Sequence, residues 1–102
     1  MNEVFDESHL REEETRKRVI REVQELLATK VLTHRSPNGT VEVDVDGNGK
    51  VKRLTIAPGA IRSCQPAELA GLVMSTINMG RAIAGQRGGK ILVTALDSEL
   101  GA

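Results

Sequence analysis

Three clusters of basic side chains are the residues best suited to chemistry in this chain. Arg11, Arg16, Lys17, Arg18 and Arg21 form the first; Arg35, Lys50, Lys52 and Arg53 the second; Arg81, Arg87 and Lys90 the third. What such groups do together is neutralise phosphate charge and release the counterions condensed on a polyanion. On a helix, Lys17, Arg18 and Arg21 would fall within about a third of the circumference, close enough to follow one phosphate backbone. The glutamates work against this. Glu12, Glu13 and Glu14 precede Arg16, Lys17 and Arg18 by four residues. Each i,i+4 pair would steady a helix by roughly 0.2–0.5 kcal/mol, and would cancel part of the field that a phosphate feels. Arg18 with Glu22 and Arg21 with Glu25 continue the lacing in the weaker order.

The other reactive residue types do not assemble. His9 and His34 are far apart in sequence and have no neighbouring ligands, so no metal site is expected. Cys64, between Ser63 and Gln65, has no basic neighbour to favour its thiolate and reads as an inert thiol. Glu42, Asp44 and Asp46 follow strand alternation rather than a cation-binding loop pattern. Gly47 to Gly49 lacks the strand–loop–helix setting of a phosphate loop. No Ser–His–Asp or Cys–His arrangement is evident, so neither enzymatic activity nor a cofactor is expected. Tyr and Trp are absent, which leaves almost no means of stacking on bases.

Bulk composition fits a single globular domain. Fourteen basic residues balance fourteen acidic ones over 102 residues, so any polyanion site must come from local clustering. Apolar residues make up 39%, and Phe5 is the only aromatic. A core of Val, Ile, Leu, Met and Ala buries less area per residue and gains from a partner subunit. One cysteine permits no intrachain disulfide, as suits a reducing cytosol. The first residues, with Glu3, Asp6 and Glu7, lack a cationic stretch followed by an apolar one, and no run reaches membrane-spanning length. A soluble, cytoplasmic protein is expected.

The elements that must position the basic residues follow from periodicity. Glu7 to Lys30 reads as a long helix, with Val19, Val23, Leu26, Leu27 and Lys30 at helical spacing in its second half. Its first half, Arg11 to Arg18, is wholly polar and must project or meet a partner. Val31–Ser36 is a first strand. Asn38-Gly39 predicts a two-residue hairpin turn with positive φ at both positions. Thr40–Asp46 alternates, with Val41, Val43 and Val45 on one face and three acids on the other. A tight turn at Gly47–Gly49 leads to a strand over Lys50–Ala57, ended by Pro58-Gly59. Residues 60–65 read as a connector. Pro66 opens a second helix to about Gln86, with Leu69, Leu72, Val73, Thr76, Ile77, Ile83 and Ala84 on its apolar face. Its other face, Gly71, Ser75, Asn78, Ala82 and Gly85, is small and uncharged, and reads as a contact surface between subunits. Gly88-Gly89 is expected to break this helix, giving a domain over residues 1–88. The tail, 89–102, reads as a short amphipathic helix through Leu100 or a strand over Lys90–Thr94.

The run from Asn38 to Val51, then Leu54-Thr55-Ile56, Pro58-Gly59, Glu68-Leu69, Leu72-Val73, Ile77-Asn78 and Ala82, resembles the YbaB/EbfC family of bacterial nucleoid-associated proteins. The match covers roughly residues 20 to 85. The resemblance implies an α+β fold of helix, three-stranded antiparallel sheet and helix, in a homodimer joined through sheet and helix regions. Val41, Val43, Val45, Gly71, Ser75, Asn78 and Ala82 would supply that interface. It also implies sequence-tolerant binding of double-stranded DNA by projecting helices, without catalysis, cofactor or membrane. Arg11, Arg16, Lys17, Arg18, Arg21, Arg81, Arg87 and Lys90 would make the contacts. Zero net charge, the laced first helix and the neutral face of the second also suit a protein-interaction module on the same fold, such as an accessory subunit of a bacterial secretion system.

Overall fold

Alternation from Val41 to Asp46 produces the central strand of a three-stranded sheet. The computed structural model describes the backbone of residues 7–100 and the side chains of residues 10–99. Phe5, the side chain of His9 and that of Leu100 lie outside the described residues. Helix α1 (Glu7–Leu27) is followed by β1 (Val31–Arg35), β2 (Val41–Asp46) and β3 (Val51–Ile56), a short α2 (Ala60–Ser63) and a long α3 (Pro66–Leu100). The strands are antiparallel in the order β1-β2-β3. Leu32 pairs with Val45 and His34 with Val43 on one side; Val41 pairs with Ile56 and Val43 with Leu54 on the other. A bulge after Asp44 sets Val45 opposite Val51 and places Lys52 within reach of Asp46, at 3.9 Å.

The valine face is covered by α3 of the same chain. Val41, Val43 and Val45 have no exposed surface. Val43 and Val45 pack with Ala84, Ile77, Leu32 and Val51. Gly80 lets the helix settle onto the sheet: a Cβ there would stand 3.0 Å from Val43 Cγ1 and 3.3 Å from Val45 Cγ2. These valines are therefore core residues of the chain itself, which corrects their placement in a surface between subunits.

A second apolar cluster joins the two long helices. Val19, Val23 and Leu27 of α1 meet Leu92, Ala95 and Leu96 of α3. The helices run antiparallel, with Leu27 beside Gly88 near the sheet and Arg18 3.9 Å from Glu99 further out. The arm that leaves the sheet is thus an antiparallel pair of helices, and the molecule measures 70 × 23 × 18 Å. The polar turns of α1 before Arg18 lie past this contact, which is why no apolar stripe extends there.

The expected break at Gly88-Gly89 does not occur; α3 runs unbroken to Leu100. Gly88 is there for close approach. A Cβ on it would collide with the carbonyl oxygen of Gly47 in the β2–β3 turn. Gly47 is equally confined, with Leu27 Cβ and Cδ2 each 2.8 Å from where its own Cβ would be. Three segments cross at this point, and a hydrogen bond of 2.8 Å from Gly47 N–H to the Leu27 carbonyl fastens them. Gly89, by contrast, is exposed with open space around it. Gly89→Ala removes chain entropy from the unfolded state and strains nothing within the chain, so it is expected to stabilise the chain's own fold by about 0.5–1 kcal/mol in thermal or urea unfolding.

The turns differ in detail from expectation. Among the described residues only glycines have positive φ, so Asn38 does not share that role with Gly39 (φ 74°). Its side-chain oxygen instead accepts hydrogen bonds from Thr40 N–H (3.1 Å) and Ser36 Oγ (2.9 Å), organising a four-residue turn between Ser36 and Val41. At the second turn, the buried Asp46 carboxylate accepts from Asn48 N–H at 2.9 Å and Lys50 N–H at 3.0 Å. The connector after β3 coils into α2, entered through Gly59 at φ 90°.

Candidate nucleic-acid interface

The predicted phosphate contacts divide between two parts of the molecule. Arg11, Arg16, Lys17, Arg18 and Arg21 lie on the arm and are exposed. Arg81, Arg87 and Lys90 lie along α3, where it leaves the sheet, and are exposed too. The structure does not gather all eight into one patch; they line an elongated body along two helices.

Of the i,i+4 pairs that the spacing suggests, Arg18–Glu22 forms and the others do not, among the described residues. Arg16 bonds Glu13 at 2.8 Å, one position short of the expected Glu12. Arg18 turns away from Glu14 to stand 3.9 Å from both Glu22 and Glu99. Among the described residues, Lys17 and Arg21 make no ion pair, and neither do Arg81, Arg87 and Lys90. All these groups are exposed, so each pair contributes between about 0 and 1 kcal/mol. Side-chain entropy and several carboxylates within reach decide such choices, which is why spacing alone does not fix the partner. The outcome leaves more cationic charge available than full lacing would.

The outer sheet face is charge-balanced. Arg35 bonds Glu42, Thr33 Oγ1 donates to Asp44 at 2.7 Å, and Arg53 lies across from Asp44 in the ladder. Arg35 and Lys52 are therefore engaged by β2 acids rather than presented to a ligand. Among the described residues no three His, Cys, Asp or Glu side chains group as a cation would require. His34 is half-buried at the β1–α3 contact, and Cys64 is half-buried just after α2.

Two features of α3 bear on partners. Gly71, Ser75, Asn78 and Ala82 are all exposed, and the seam continues through Gly85 and Gly89. No atom stands within 4 Å of a Cβ built at Gly71, Gly85 or Gly89. The seam was legible as far as Gly85; its extension to Gly89 was hidden by the expected helix break. Around the helix, a groove is lined by Ile56, Ile61, Pro66, Leu69, Val73 and Met74, with Ile61 73% exposed. No sequence pattern announced it, since its residues come from three elements.

A helix–sheet–helix chain with this spacing matches the model of the YbaB/EbfC DNA-binding family over residues 8–95. The chain belongs to that family. Among solved structures, the uncharacterized protein HP0035 from Helicobacter pylori is similar, with a TM-score of 0.63 and 20% identity over 74% of this chain and 87% of that one. That likeness supports the fold. A search of curated protein sequences returned no match. In this YbaB/EbfC member no described helix is long and apolar enough to cross a membrane.

Proposed function

We propose that this protein is a nucleoid-associated, cytoplasmic homodimer that binds double-stranded DNA without sequence preference and catalyses no reaction. The observation that carries the reading is membership of a DNA-binding family over residues 8–95, in a chain whose exposed cations include several without an acidic partner among the described residues. Phosphate neutralisation needs nothing more. Dimerisation is supported by the uncharged seam Gly71, Ser75, Asn78 and Ala82, which a second α3 can approach closely. A dimer doubles each weak contact set, so affinity rises by multivalency.

The test is fluorescence anisotropy with random-sequence duplexes over a salt series, with the oligomeric state fixed by light scattering. With six phosphate contacts, affinity should fall about 10³-fold between 50 and 200 mM salt, and equally for unrelated sequences. Absence of binding at 50 mM salt would remove the DNA reading, and a monomer mass at micromolar concentration would remove the dimer. The exposed apolar groove around Ile61 favours a second reading, a protein-interaction module, which would gain if DNA binding failed while Ile61→Glu abolished capture of a defined protein partner.

A further inference from the structure

We infer that the principal phosphate-contacting surface is the junction where the arm meets the sheet, carried by Lys30, Lys50, Arg81 and Arg87, rather than the basic face of α1. This rests on the DNA-binding reading and says where on the molecule it operates. Charge is not spread evenly. Residues 7–27 and 85–100, which form the arm, hold seven basic and eight acidic residues; residues 28–84 hold seven basic and four acidic. Each arginine of α1 has a glutamate within about one helical turn, whereas Arg87, at the inner end of the α3 half of the arm, has none. At moderate salt, exposed charges are screened beyond roughly 8–10 Å, so near neighbours decide what a phosphate feels.

The junction is built differently. Its centre is the turn Gly47–Lys50, packed across α3 with Gly47 against Gly88 and Gly49 beside the Arg81 carbonyl. Lys50 follows Gly49, and Arg87 precedes Gly88. Lys30 joins from the α1–β1 turn, because its N–H (3.1 Å) and that of Gly47 (2.8 Å) share the Leu27 carbonyl. All four side chains are exposed, and none makes an ion pair among the described residues. The acid in this turn, Asp46, is buried, and its carboxylate is occupied by Asn48 N–H, Lys50 N–H and, at 3.9 Å, Lys52.

The main-chain N–H groups of Lys30 and Lys50 donate to the Leu27 carbonyl and the Asp46 carboxylate in two adjoining turns, so little main-chain order is lost on binding. Arg81 and Arg87 stand about 9 Å apart along the helix axis and about 120° apart around it. Duplex DNA carries one charge per about 1.7 Å of axis, so several phosphates lie within that reach. Arg81 is turned about 100° from Ala82 and about 40° from Gly85, which puts it at the border of the uncharged seam.

Two triple variants of the full chain test this, Lys30→Gln/Lys50→Gln/Arg81→Gln and Lys17→Gln/Arg18→Gln/Arg21→Gln. Each is titrated with a 24-bp random duplex from 50 to 300 mM salt, with folding verified by circular dichroism. The junction variant should lose at least tenfold in affinity and lower the salt slope by about three, near 0.9 per lost contact. The arm variant should lose less than threefold. A larger or equal loss in the arm variant overturns the junction assignment and leaves DNA binding standing; failure of the wild type to bind overturns both. Should the junction variant unfold, amide shifts of the wild type on titration with duplex decide the matter. Perturbation centred on residues 29–31, 47–51 and 80–88 supports the assignment, and perturbation centred on 10–21 overturns it.

Discussion

Gly88→Ala is expected to lower the melting temperature by about 10–20 °C, although alanine is the better helix former. Propensity alone would make this change favourable by up to about 1 kcal/mol. Geometry outweighs it. The new methyl would collide with the Gly47 carbonyl oxygen and stand 3.3 Å from Leu27 Cδ1. Gly47 has no room to retreat, because Leu27 Cβ, Cδ2 and carbonyl oxygen lie within 2.9 Å of its own virtual Cβ position. Relief requires α3 to lift from the turn, which breaks the Gly47–Leu27 hydrogen bond and parts Leu92 from Val23 and Leu27. Overpacking of this kind typically costs about 1–3 kcal/mol, and a backbone partner puts it at the upper end. In a domain of about 100 residues that corresponds to the stated shift. The comparison with Gly89→Ala, one residue on and expected to stabilise, separates close approach from helix propensity. Thermal unfolding of both at one protein concentration measures it; equal melting temperatures would show that the crossing is not tight.

That pair of glycines also marks where the sequence stops being legible. The β2 face could be read directly, since Val41, Val43 and Val45 alternate with three acids and a period of two has one meaning. The stripe Val19, Val23 and Leu27 was equally plain, but its complement was not. Leu92, Ala95 and Leu96 sit at helical spacing behind two glycines that, read locally, end a helix. Gly88 is glycine for a tertiary reason, the passage of the 47–50 turn, and nothing in its immediate neighbours reports it. The candidate site shows the same division. Exposure of the arm and α3 cations followed from periodicity, whereas the junction of Lys30, Lys50, Arg81 and Arg87 exists only because three segments cross.

Val43→Asp is expected to prevent folding altogether, and the form of its failure separates two roles for the valine face. If Val41, Val43 and Val45 met a second subunit, a charge among them would yield a folded, dissociated protomer with native helix content. The face is instead sealed within one chain. Val43 has no exposed surface, and α3 presses on it closely enough that a Cβ at Gly80 would touch its Cγ1. Its ladder partners are His34 on β1 and Leu54 on β3, so neither a Lys nor an Arg stands opposite a carboxylate placed there. An unpaired buried charge costs several kcal/mol even after relaxation, against a total stability of about 5–15 kcal/mol for a domain of this size. The lost valine packing adds to that. Circular dichroism should show loss of the cooperative transition at every protein concentration. Ala82→Asp supplies the contrast: its site is exposed on the α3 seam, so the chain should keep its fold and melt cooperatively while losing self-association in light scattering. A folded monomer from Val43→Asp would return the valines to the interface, and an unchanged dimer from Ala82→Asp would take the seam out of it.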